Sequence, residues 1–163
     1  ESGSVTLKKK SEHRSVALGN LTAFLCLRFD ERRPDLVVKE APPSLQAFMQ
    51  MHSSEANVRM QHSLHGVVEA VCNRYGVPIV EKHVATIRKH FLGRAQFGER
   101  ALTKWECVLR CRLLGYIDKE CTDEDRADAL AYWDWSCATY GGRSLTTERL
   151  FMFGERSRDD EAE

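Results

Sequence analysis

The sequence predicts an all-α fold, a compact orthogonal bundle of six or seven helices with charged, mobile termini. Three observations carry that expectation. Apolar residues recur at three- and four-residue spacing through most of residues 15–153, glycines stand where these runs stop, and neither a hairpin signal nor an alternation of strand and helix patterns is visible. A chain of 163 residues can bury one core without disulfides or a structural metal. The expected organisation is a flexible basic arm over 1–14, a single helical domain over 15–153 and a flexible charged tail over 154–163.

Each element has its own signal. Leu18, Leu21, Leu25 and Phe29 make a helical stripe that ends before Pro34. The stretch from Pro34 to Pro43, with its short Leu36-Val37-Val38 run, reads as a surface loop. Ser44 caps a short helix carrying Leu45, Phe48 and Met49. A longer helix spans Glu55 to Tyr75, with Met60, Leu64, Val67, Val68 and Val71 on one stripe and Gly76 as its stop. Pro78 suits a first helical turn, followed by Val80, Val84, Ile87 and Phe91 and a stop at Gly93. Thr103 and Glu106 resemble a capping box. From Trp105 to Ile117 nine of thirteen residues are apolar or cysteine and point around the whole axis, which predicts a central helix. Thr122 and Asp125 open a last long helix that carries Leu130, Trp133, Cys137 and Tyr140 and stops at Gly141-Gly142, and residues 144–153 add a short one.

Composition limits the function classes. With 42% hydrophobic and 29% charged residues the chain reads as globular rather than disordered or fibrous. No apolar stretch approaches the roughly 20 residues that cross a bilayer, so no membrane role is expected. Six cysteines in mostly apolar helical settings, with no secretory leader in the sequence, predict reduced thiols and a cytoplasmic or nuclear protein.

No catalytic signature stands out. Cys107 and Cys111 lie four apart on one helix, where their sulfurs share a face, but the tight knuckle of a zinc site is missing and packing as small hydrophobes explains them. His83 and His90 are two turns apart, and His62, His65 and Glu69 fit a polar helix surface. No nucleophile elbow or phosphate-cradling loop is present, and the Asp123-Glu124-Asp125 run fits a helix start. The expectation is a protein that is not an enzyme and has no cofactor and no metal.

The charge layout is more informative. Net charge is zero, yet residues 82–117 hold eight basic and two acidic groups while residues 118–163 hold six and thirteen. The leading reading is a noncatalytic intracellular module that binds a protein partner, or assembles as a homo-oligomer, through exposed apolar side chains: Phe48, Met49 and Trp135, with Tyr132 on the rim. The alternative is binding of RNA or single-stranded DNA through the basic segment 82–112. There Lys82, Arg88, Lys89, Arg94, Arg100, Lys104 and Arg110 face phosphates, and Phe97 stacks on an unpaired base from its glycine-bounded loop.

Overall fold

The structure, a computed structural model, describes residues 2–9, 11–42 and 54–141. In chain order its elements are α1 (Arg14–Glu31), β1 (Val37–Glu40), α2 (Glu55–Tyr75), β2 (Ile79–Lys82), α3 (Val84–Leu92), α4 (Arg100–Leu113) and α5 (Glu124–Tyr140). The chain divides into two units: Val5–His83, and Val84–Glu163 together with Glu1–Ser4. The short helix expected around Phe48 and Met49, the helix expected over 144–153 and the charged tail lie outside the described residues.

The first unit corrects the all-α expectation. β1 and β2 pair in parallel, Val37 opposite Ile79 and Glu40 opposite Lys82, with α2 as the connection between them. This is a β-α-β unit, in which a parallel pair requires a long crossover. The Val37-Val38 run expected as loop is therefore a strand, and Pro78 precedes a strand rather than opening a helix. Its carbonyl accepts the Val37 N–H at 3.0 Å. Its missing N–H costs no ladder bond at that margin. Four-residue strands are too short for alternation to announce them, and the partner of each lies beyond the whole of α2.

α2 forms where the sequence places it. The Ser54 hydroxyl accepts the Asn57 N–H at 3.3 Å, and Gly76 terminates the helix at φ 62°. Phe29 of α1, Val71 and Cys72 of α2 and Val77 form the buried core, joined by Leu25, Val67, Val37 and Ile79. Tyr75 meets Phe29 edge to face at 5.4 Å and donates its hydroxyl to Asp30 at 2.8 Å.

One face of the sheet carries Val37 and Ile79 and then, by the two-residue period, Lys39 and Glu81. Lys39 Nζ lies 2.6 Å from both Glu81 and Glu69 and 3.1 Å from His65 Nδ1, so the strand pair is tied to α2 by one ammonium. Burial works against the Lys39 charge, but the bonds to Glu69 and Glu81 outweigh it and raise its pKa. Burial and then the Lys39 charge lower that of His65.

In the second unit α3, α4 and α5 pack on one another. The core is Ile87 and Phe91 of α3, Cys107, Val108 and Cys111 of α4, and Ala127, Leu130 and Ala131 of α5. Small residues at Cys111 and Ala127 permit a close approach, and the Cys111 thiol donates to the Ala127 carbonyl at 3.6 Å. The expected capping box at Thr103 is not formed, because α4 already begins at Arg100 and Thr103 is inside it and fully buried. The start of α5 is capped by Asp123, whose carboxylate accepts the Arg126 N–H at 2.9 Å. Nor is α4 surrounded: Leu102, Trp105, Leu109 and Leu113 remain exposed.

Candidate nucleic-acid interface

Packing sorts the expected basic residues into two groups. Arg88 is committed inside the second unit, its Nη2 donating to both Asp128 oxygens at 2.9 and 3.2 Å. Lys104 is held by Asp125 at 3.0 Å and Glu124 at 3.3 Å. Arg112 donates twice to the Cys121 carbonyl and stands 5.0 Å over the Trp105 ring. Arg110 is half-buried, and its Nε finds no partner among the described residues. Lys82 belongs to β2 of the first unit. What remains exposed in the second unit is Lys89, Arg94 and Arg100.

Arg94 lies in the short loop between α3 and α4, and Lys89 and Arg100 lie on the helices either side of it. Gly93 and Gly98 take φ values of 80° and 71°, where side-chain-bearing residues are strained. Phe97 is half-buried, and its N–H donates to the Thr103 hydroxyl at 2.9 Å. That hydroxyl in turn donates to the Glu99 carbonyl at 3.1 Å. Thr103 thus serves as the buried post of the loop. The Arg94 guanidinium sits 4.4 Å from the centre of the Phe97 ring. The stacking face expected of Phe97 is thereby occupied by a cation from its own loop.

Behind the loop the second unit buries a carboxylate. Asp134, with a side chain 1% exposed, lies 3.0 Å from His90 Nε2 and accepts the Tyr116 hydroxyl at 2.7 Å. No local pattern in the sequence marks this set, because its members come from α3, α5 and the segment after α4. Burial pushes the Cys107 and Cys111 thiols up to about 12, so both are protonated near neutral pH and pack as small hydrophobes. Among the described residues no three His, Cys, Asp or Glu side chains lie close enough together to hold a metal ion.

Of the residues expected to bind a protein partner, Tyr132 and Trp135 lie within the described residues. Tyr132 is buried, Trp135 is half-buried and meets Tyr140 edge to face at 5.9 Å, and Phe48 and Met49 lie outside the described residues. In the first unit the strand pair presents a further residue that the sequence reading did not single out. Glu40 closes β1 and is exposed, at the carboxyl end where open α/β sheets place their ligands. Two short β-branched runs, Val37-Val38 and Ile79-Val80, flank the helix, but runs of that length carry no period that marks them as strands before they pair.

No protein-family profile and no curated protein matches the chain. Among solved structures it is similar to RuvC of Thermus thermophilus, with a TM-score of 0.57 and 17% identity over 90% of this chain and 75% of that one. It is also similar to T. thermophilus RuvC in complex with a Holliday junction substrate, with a TM-score of 0.55 and 18% identity over 77% of this chain and 68% of that one. The fold is therefore of the α/β, RNase H-like kind and not an orthogonal bundle of six or seven helices. The same likeness overturns the reading as a noncatalytic protein-interaction module and the expectation that the chain is not an enzyme, since RuvC is known on this fold in complex with a Holliday junction substrate. No helix among the described residues is long and apolar enough to cross a membrane.

Proposed function

We propose that the chain binds branched DNA through the exposed basic surface of its second unit and cleaves the DNA backbone. The observation that carries the reading is the fold shared with RuvC, one example of which holds a Holliday junction. It is supported by three cations of the basic segment that packing leaves exposed, Lys89, Arg94 and Arg100. Guanidinium and ammonium groups neutralise phosphates and release condensed counterions, which supplies affinity without regard to sequence. For the reaction we assign Glu40, an acid–base group at the carboxyl end of β1. Free thiols, with every described cysteine unpaired, agree with work in a reducing compartment where DNA is found, the cytoplasm or nucleus.

The test is salt-resolved binding of the whole chain to a labelled four-way junction and to a linear duplex, followed by strand cleavage in a buffer containing magnesium chloride. The expected result is junction binding that weakens steeply with salt. In Lys89→Ala/Arg94→Ala/Arg100→Ala the slope of log affinity against log salt should shrink by about 2–3, near 0.9 for each cation that neutralises a phosphate. Glu40→Gln should retain binding and lose cleavage. No binding of either DNA at low salt overturns the proposal, and cleavage that survives Glu40→Gln removes Glu40 from it.

A further inference from the structure

We propose that the Gly93–Gly98 loop is a base-stacking site, in which the Arg94 guanidinium, carried on the Phe97 ring, takes one unpaired DNA base on its outer face. This rests on the DNA-binding reading and names which feature of a branch the second unit recognises. A guanidinium is planar and stacks on bases as readily as on aromatic rings. Here its Cζ stands over the Phe97 ring, 4.4 Å from the ring centre, the residue is exposed, and among the described residues it makes no ion pair.

The platform is built before any ligand arrives. Phe97 is half-buried and tied through its N–H to the fully buried Thr103, and the Gln96 side chain donates to the Gly98 carbonyl. The two left-handed glycines fix the turn at either end. A side chain already held in its stacking position loses little rotamer freedom on binding. Lys89 and Arg100, exposed on the flanking helices, supply charge for the phosphates on either side of the base. A fully paired duplex hides the faces of its bases, whereas a branch point, gap or bulge offers one.

The experiment uses the full chain with two DNAs of equal length, a perfect duplex and a duplex with a single bulged 2-aminopurine. Affinity and 2-aminopurine fluorescence are read at several salt concentrations. The unmodified protein should prefer the bulged DNA about tenfold, within the range that stacking of one base supplies, and should quench the probe. Arg94→Lys keeps the charge and removes the plane, so its salt slope should stay while preference and quenching disappear. Phe97→Leu, checked for an unchanged melting temperature, should do the same. Retention of both signals in Arg94→Lys would show an ordinary phosphate contact and overturn the inference. Equal binding of the two DNAs by the unmodified protein overturns it too while leaving DNA binding intact, and failure to bind either overturns both.

Discussion

The carboxylate of Asp134 is buried in the second unit. Tyr116 donates to one oxygen at 2.7 Å and His90 lies 3.0 Å from the other. Removing the phenol oxygen while keeping the ring takes one hydrogen bond from a carboxylate that is 1% exposed. Tyr116→Phe is therefore expected to cost about 1–3 kcal/mol in denaturant unfolding, and a loss below the error of the measurement would show that the hydroxyl is dispensable. The Lys39 cluster gives a pH dependence. His65 has its pKa lowered in the fold below 6.5, first by burial and then by Lys39, and Glu69 is lowered from 4.5, first by its bond to Lys39. Groups with depressed folded pKa values bind protons more readily unfolded, so their stabilisation is present above the unfolded values and fades as pH falls. Lys39 is raised above 10.5, so its share is complete at neutral pH and fades only as pH rises beyond that value. The melting temperature should be level only from about pH 7 to 8, decline below 6.5, and decline less in His65→Gln; above 9 it should fall again, because the Cys107 and Cys111 thiols ionise in the unfolded chain but stay protonated in the fold. An acid limb identical in that variant would remove His65 from the account.

At the scale of elements, the glycines of the first unit separate a conformational requirement from mere tolerance. Gly76 terminates α2 at φ 62°, and a Cβ there would meet no atom within 4 Å. Its cost on substitution is therefore backbone strain alone, and Gly76→Ala is expected to destabilise by about 1–2 kcal/mol. Gly66 lies within α2 and has the same open space but an ordinary helical backbone. Gly66→Ala should stabilise by about 0.5–1 kcal/mol, so the two variants should move the unfolding midpoint in opposite directions. The helix stop at Gly76 was legible because caps and stops act over one turn. The strands were not legible, since Val37-Val38 carries no period of its own and becomes a strand only by pairing with Ile79-Val80. The start of α4 was misplaced for a related reason: Thr103 has the chemistry of a cap, yet packing buries it and gives its hydroxyl to the preceding loop.

For the whole molecule, zero net charge conceals a sorted distribution, and folding sorts it again. Acidic residues of α5 neutralise Arg88 and Lys104, while Lys89, Arg94 and Arg100 stay exposed. The chain is accordingly expected to be retained on a heparin matrix near its isoelectric point of about 7.2. The variant with all three residues changed to alanine should elute at clearly lower salt, and unchanged elution would place the polyanion surface elsewhere. The sequence by itself determined the extent of α2, its stop at Gly76 and the existence of a basic segment, because those depend on spacings of a few residues. Only the tertiary structure decided the parallel strand pair, the post that Thr103 makes for the Gly93–Gly98 loop, and which cations keep their charge for a ligand. Strand pairing and ion pairing join residues far apart in the chain, and their choice of partner is set by packing, which no local pattern contains.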